Sequence, residues 1–243
     1  MKRRQSVSPE PKNQLFPADC SQIRQLSVET FRRGGGTRPD VLLIRQGSQM
    51  AVLKDQNACA KNFARIFGAL LTFREARALR RLQGLSGIPD LICLPDNRSL
   101  LMSFVAATPV IQYQQDIDWN VYFQKLSLQI DSMHARGVAH GDLRSPGNVL
   151  IDLHGQPVLV DFVAAVCRGH RFNFIAGWFF RKFCEVDRSA VLKLKHRLAA
   201  DQLTAHERFV LARPQGMLGR VARSLGVFIR NSSRQLFAND KTD

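Results

Sequence analysis

The sequence predicts an α+β fold in two lobes, a small antiparallel-sheet N-lobe followed by a mainly helical C-lobe. Three observations lead there. The 243 residues are 45% hydrophobic, enough to bury a sizeable core and to rule out wholesale disorder. At roughly 150 residues per domain, this length allows one domain or two closely joined lobes. Short apolar runs separated by turn residues dominate up to about residue 105, and helical periodicity dominates after residue 118.

Taken in order, residues 1–14 are polar and Pro-containing and are expected to be disordered. Ser27 to Arg33 has mixed strand character and is broken by Gly34-Gly35-Gly36-Thr37-Arg38-Pro39-Asp40. Val41 to Ile44 and Met50 to Lys54 read as two strands around the turn Gln46-Gly47-Ser48, hence a hairpin. From about Asn62 to Leu82, Phe63, Ile66, Phe67, Leu70, Leu71, Leu79 and Leu82 recur at helical steps, and Gly84 stops the run. Leu91 to Leu94 and Leu100 to Val105 form a second hairpin around Pro95-Asp96-Asn97. Asp118 can cap a helix that carries Trp119, Tyr122, Phe123, Leu126, Ile130 and Met133 on one face and closes at Gly137. Val149 to Ile151 and Val158 to Val160 are strands around a turn, and the remainder reads mainly as helix. The expected divisions are 1–14 as a disordered N-terminus, 15–107 as N-lobe, 108–216 as C-lobe, and 217–243 as a basic amphipathic helix and tail.

Several function classes are set aside. No run reaches the ~18 apolar residues of a membrane-spanning helix. The basic Met1-Lys2-Arg3-Arg4 is not followed by an apolar stretch, so it does not read as a secretory signal. Five cysteines, none in a C-x-x-C pair, suggest reduced thiols in a cytoplasmic protein. The net charge of +15 is uneven. Residues 1–50 hold nine basic and four acidic residues, 51–167 hold eleven and ten, and 168–243 hold fifteen and six. A near-neutral middle with basic flanks suggests an anionic partner. Nucleic acid is the less supported choice, since no recognised binding motif is present.

The chemistry concentrates in two segments. One is Met133-His-Ala-Arg-Gly-Val-Ala-His140-Gly141-Asp142-Leu143-Arg144-Ser145-Pro146-Gly147-Asn148, in which a helix leads into His-Gly-Asp on a loop closed by Asn. The other, Leu159-Val160-Asp161-Phe162-Val163, puts an Asp-Phe thirteen residues beyond that Asn, at the end of the following hairpin. Upstream, Ala51-Val52-Leu53-Lys54 ends a strand on a lysine, and Glu75 is the only acid in the predicted helix 62–82. Singly, each feature has an ordinary explanation: an edge lysine, a surface glutamate, a turn. Their order and spacing together are specific.

This arrangement resembles the protein-kinase-like superfamily, over roughly residues 27–200. The resemblance implies a two-lobed protein-kinase-like fold and an ATP-dependent phosphotransferase using ATP and Mg²⁺. It implies that Asp142 orients the acceptor hydroxyl and takes its proton, and that Arg144 steadies the transferring group. Asn148 and Asp161 would offer oxygen ligands to Mg²⁺. Lys54, paired with Glu75, would contact the nucleotide phosphates. Gly34, Gly35 and Gly36 would form the loop over them, and Met102 to Ala107 the hinge that holds adenine. His140 is expected to brace the loop rather than move protons.

Departures narrow the choice. Five residues, not four, separate Asp142 from Asn148. Val163 stands where the metal motif usually has Gly, the glycine loop is not G-x-G-x-x-G, and no Ala-Pro-Glu follows. His-Gly-Asp is shared with the atypical RIO kinases, with bacterial lipopolysaccharide (Kdo/heptose) kinases and with small-molecule phosphotransferases. The short stretch after Asp161, together with Val186-Asp187-Arg188-Ser189, looks most like the lipopolysaccharide-kinase and RIO-like group. The favoured acceptor is therefore a lipopolysaccharide core sugar or similar glycolipid. A RIO-like protein serine/threonine kinase and a pseudokinase scaffold are the alternatives. The aromatic and cationic stretch Phe172 to Phe183 and the arc of Leu218, Val221, Leu225, Phe228 and Ile229 opposite Arg220, Arg223 and Arg230 suit an anionic membrane surface. A cytoplasmic protein, peripheral at the inner membrane, is the expected location.

Overall fold

The computed structural model describes residues 16–17, 19–169 and 173–212. The expected disordered N-terminus and the expected basic helix 217–243 lie outside the described residues.

A short helix α1 (Cys20–Gln25) leads into strands β1 (Ser27–Arg32), β2 (Asp40–Gln46) and β3 (Gln49–Asp55). After α2 (Lys61–Phe63), a π turn (Ala64–Gly68) and α3 (Ala69–Leu82) come β4 (Leu91–Asp96) and β5 (Ser99–Ser103). These strands form one antiparallel sheet in the order β1-β2-β3-β5-β4. The central strand β3 is covered on both faces, and its last five residues are buried, Lys54 and Asp55 included. One face packs under α1, where Ile23 and Phe16 meet Leu42, Ile44, Leu53 and Leu101. Val52, Leu100 and Met102 instead join the main core, which runs without a break into the C-terminal half through Tyr122, Leu126, Ile130 and Met133.

The remaining elements are β6 (Ala107–Pro109), α4 (Trp119–Ala135), β7 (Val138–Ala139), β8 (Val149–Asp152), β9 (Pro157–Leu159), β10 (Val166–Cys167), α5 (Phe174–Leu198) and α6 (Ala205–Ala212). The side chain of Asp118 accepts from the amides of Asn120 and Val121, as an N-cap should. The chain leaves α4 through Gly137 at φ 74°. A three-stranded sheet β6-β8-β9 and a two-stranded ribbon β10-β7 frame the loop between residues 140 and 148.

The first helix differs from expectation in its first half. Ile66 and Leu70, placed on the apolar face by periodicity, are exposed, whereas Thr72, Glu75 and Ala76 are buried. The wider winding of the π turn shifts the phase of the residues before Ala69, Ile66 among them, and within α3 the buried face runs through Thr72, Glu75, Ala76 and Leu79, which leaves Leu70 outside it. The face that α3 turns inward therefore includes an acid.

Candidate active site

Lys54 is fixed by the sheet. It pairs in register with Val41 on one side and Leu100 on the other, so its backbone has no freedom. Its Nζ donates to Glu75 Oε1 at 2.7 Å and to Asp161 Oδ1 at 2.7 Å. The three residues lie 21 and 107 positions apart in sequence. Glu75 Oε1 also accepts from the Phe162 amide at 3.2 Å, which ties α3 to the start of the metal-type motif. Glu75 Oε2 is buried with no partner among the described residues.

The charges are tuned by this geometry. Burial opposes the Lys54 ammonium, but Asp161 and Glu75 outweigh it and raise its pKa. Lys54 holds Asp161 below the ordinary carboxylate value against the effect of burial. Burial pushes Glu75 upward more than Lys54 pulls it back. Asp161 is also conformationally unusual, at φ 67° and ψ 68°, the one non-glycine residue with positive φ among the described residues. Its side chain is 35% exposed, open toward the cleft.

The loop carrying Asp142 is held from beneath. The ring of His140 lies tilted against Phe162, with centroids 4.6 Å apart, and its Nε2 lies 2.9 Å from the Val160 carbonyl oxygen. Asp187, fully buried on α5, accepts from the backbone amides of His140 at 2.7 Å and Gly141 at 2.8 Å. His134 Nε2 lies 3.0 Å from the same carboxylate. Gly141 has φ 83°, and a Cβ there would sit 2.7 Å from the Ala164 carbonyl oxygen. Only glycine fits without a shift.

Asp142 itself is exposed. Partial burial of its carboxyl pushes its pKa up, more than His140 and the Asn148 amide lower it. The extra loop residue between Asp142 and Asn148 is absorbed in a turn: the Ser145 amide donates to Asp142 O, and the Asn148 amide to Ser145 O. Asn148 Nδ2 then donates to Asp142 O at 2.9 Å and approaches Asp142 Oδ2 at 3.3 Å. The displacement that a five-residue spacing invites is thus offset within the loop.

A cleft of about 550 Å³ separates the sheet from this loop. Lys54, Asn148 and Asp161 line its polar end. Val41, Val52, Met102, Phe104, Leu150 and Val160 line the rest, and the hinge segment expected at Met102 to Ala107 forms one wall. Oxygen donors of Asp161 and Asn148 suit a hard cation that also takes ligand oxygens and water. No group of three or more acidic, His or Cys side chains could cage a metal alone among the described residues.

Two expected groups do not line the cleft. Gly34, Gly35 and Gly36 sit between β1 and β2, where Phe31, Arg32 and Val41 flank them and line the cleft. The glycines themselves fold onto the segment after β3: Gly36 O accepts from the Ala60 amide at 2.8 Å, and Gly34 is packed against Ala58. Arg144 lines a second cavity on the other side of the loop rather than the cleft. Sequence reasoning assigned no role to Asp187 or His134. A signal was present for the aspartate: Phe180, Cys184, Asp187 and Val191 recur at steps of four, three and four, an acid on an apolar helix face.

Comparison with known proteins agrees with this geometry. The family model described as the RIO domain matches residues 48–186. No curated protein matches the chain. Among the solved structures that share the fold are two from Chaetomium thermophilum. The Rio2 kinase superposes with a TM-score of 0.56 at 17% identity, covering 83% of this chain and 64% of that one. The Rio2 kinase-ADP/Mg²⁺-phosphoaspartate complex gives a TM-score of 0.54 at 18% identity, covering 83% and 62%. The chain thus spans less than two thirds of the length of either Rio2 structure. These matches fall on the RIO side of the resemblance drawn from the sequence. No helix is long and apolar enough to cross a membrane among the described residues.

Proposed function

Because the chain belongs to the RIO-domain family, we propose that it is an ATP-dependent phosphotransferase of the atypical RIO type, moving the γ-phosphoryl group of ATP to a serine or threonine hydroxyl of a protein. The observation that carries this reading is Lys54 held between Glu75 and Asp161 at the polar end of a cleft whose other walls are apolar. The apolar walls suit adenine, and the hinge backbone beside Phe104 offers donors and acceptors to its edge. Lys54, charged throughout the physiological range, would neutralise the inner phosphates. Glu75 keeps the ammonium aimed into the cleft.

Asn148 and Asp161 would hold Mg²⁺, which supplies charge neutralisation for the phosphates. Asp142 reaches the solvent-facing side of the same loop, where an acceptor hydroxyl would arrive. Its carboxylate would align that hydroxyl and accept the proton as the new P–O bond forms and the bond to the ADP oxygen breaks. Its raised pKa makes it a better proton acceptor than an ordinary aspartate. Asp187 keeps the loop still while this happens, through His140 and Gly141.

A lipopolysaccharide-type glycolipid at the inner membrane face is the second reading. It is favoured by the exposed Phe174, Ile175, Trp178 and Phe179 at the start of α5, an apolar patch beside the cation of Lys182.

ADP release by the full chain, with Mg²⁺-ATP and a mixture of protein acceptors, tests the main reading. The expected result is Mg²⁺-dependent release that disappears in Asp142→Asn, while Mg²⁺-ADP still raises the melting temperature of that variant. Equal release by the two proteins would sink it. Phosphate appearing on glycolipid in an intact-mass profile, with none on protein, moves the assignment to the second reading.

A further inference from the structure

We propose that the start of α5 is a membrane-docking face, on which Phe174, Ile175, Trp178 and Phe179 enter an anionic phospholipid bilayer while Arg181 and Lys182 meet its phosphates. The inference holds for either acceptor, since it concerns where the protein stands rather than what it phosphorylates. Phe174 is 80% exposed and Ile175 73%, and Trp178 and Phe179 are exposed beside them. Side chains this far clear of the chain form a projection rather than a groove. The opposite face of the same helix is the buried one: Phe180 and Cys184 pack on Ala139, and Asp187 holds the catalytic loop. The four apolar groups are therefore surplus to the core.

The order of residues matches the depth order of a bilayer. Phe174, Trp178 and Arg181 form one row along the helix, and Ile175, Phe179 and Lys182 form the next. Each row runs from two apolar groups to a cation, as hydrocarbon gives way to phosphate. Lys182 also pairs with Glu185 one turn on, whereas Arg181 is exposed with no ion pair among the described residues. Tertiary packing adds cations on this side. Strand β10 packs against both α3 and α5. At Cys167 burial pushes the thiol pKa up, and Arg81, Arg77 and Arg74 of α3 pull it back. Arg168 is exposed just after β10, and a Cβ on the adjoining Gly169 would sit 3.1 Å from that of Ala176 in α5. An apolar knob flanked by cations complements an anionic surface. A second copy of the chain would set the same cations face to face.

Docking here sets the reaction near the bilayer. Phe183, one turn beyond Phe179, reaches the catalytic loop: a Cβ on Gly141 would sit 3.2 Å from its ring. The rise from Trp178 to Phe183 is about 8 Å of helix. The loop that carries Asp142 thus stands close to the phosphate level, where an acceptor held on the membrane surface would meet it.

Tryptophan emission reads the contact directly, because the chain has two tryptophans and the other, Trp119, packs against the core. The full chain would be titrated, without nucleotide, with vesicles of phosphatidylcholine alone or mixed with phosphatidylglycerol, their acyl chains brominated to quench tryptophan. Quenching and a blue shift are expected with the mixed vesicles, at a lipid concentration about tenfold lower than with phosphatidylcholine alone. Phe174→Ser with Ile175→Ser, both at exposed positions, should keep the melting temperature and lose the quenching. Leu153→Ser, at an exposed apolar residue in the turn after β8, should still be quenched. Absence of quenching in the unsubstituted chain overturns the proposal. So does equal quenching of the Phe174→Ser, Ile175→Ser protein, which would assign binding to another part of the chain. Equal partition onto the two kinds of vesicle overturns the choice of an anionic surface. A dimer in sedimentation velocity that the double variant dissolves, with no vesicle binding, overturns it in favour of a second copy. Failure of ADP release with Mg²⁺-ATP would count against the phosphotransferase reading alone, since the titration contains no nucleotide.

Discussion

Two aspartates near the candidate site illustrate opposite uses of one side chain. Asp161 is partly open, sits at a left-handed backbone position and is held by a single ammonium. Asp187 is closed off from solvent, lies in a regular helix, and accepts from two backbone amides beside a histidine. Both are compensated, as a carboxylate removed from water must be. The first keeps lone pairs available for a ligand, and the second spends its capacity on the chain itself. The contrast separates a carboxylate open to a ligand, the proposed metal ligand, from one that holds the loop in place.

The largest effect is expected from Asp187→Ala, which strands two buried amide donors and a histidine. A loss of about 3–5 kcal/mol is expected for breaking such a buried charged network. It would be read as a fall in melting temperature on the order of 10 °C. Asp161→Asn should do the reverse. Transfer should fall roughly 10²–10³-fold, the usual result of removing one group that stabilises the reacting charge. The melting temperature should fall far less than in Asp187→Ala, because Lys54 keeps Glu75. Should Asp161→Asn unfold the protein while Asp187→Ala does not, the division of roles is wrong.

Gly141→Ala is a milder test of the same loop. Positive φ and the close Ala164 carbonyl predict a cost of about 1–3 kcal/mol, measured by urea unfolding. Acid is the gentlest probe. Lys54 depresses the Asp161 pKa, so the stability this pair adds is present above the ordinary 3.8 and is lost as the pH falls through the lower folded value. Asp142 is shifted the other way, so ADP release should begin to fall at a pH above 3.8, while the fold is still intact. Activity and melting temperature followed downward from about pH 5 should therefore part company, with activity failing first.

Much of the site was legible before any coordinates. A lysine closing an apolar strand, one acid in the next helix, His-Gly-Asp, an Asn and an Asp-Phe carry their identity in residue type and order, because phosphoryl transfer needs those charges on those elements. The strand pairs were legible for a similar reason, since Gly47 and the polar run after Ile151 leave few other turns. The phase of the first helix was not. A π turn depends on how Phe63 and Ala64 pack, and periodicity assumes regular winding. The surroundings of Arg144 were not legible either, because a two-residue step from Asp142 fixes its distance along the chain but not the side of the loop it faces, and it lines the second cavity.

By itself, the sequence determined the chemistry on offer and the order of its elements, since both follow from local preferences and from which side chains can bear charge. Tertiary structure alone decided the encounters: Lys54 with Asp161 across 107 positions, and Asp187 beneath His140 and Gly141. The reason is physical. Ionic and hydrogen-bonding groups draw their strength from burial and distance, and both are properties of the packed chain rather than of any stretch within it.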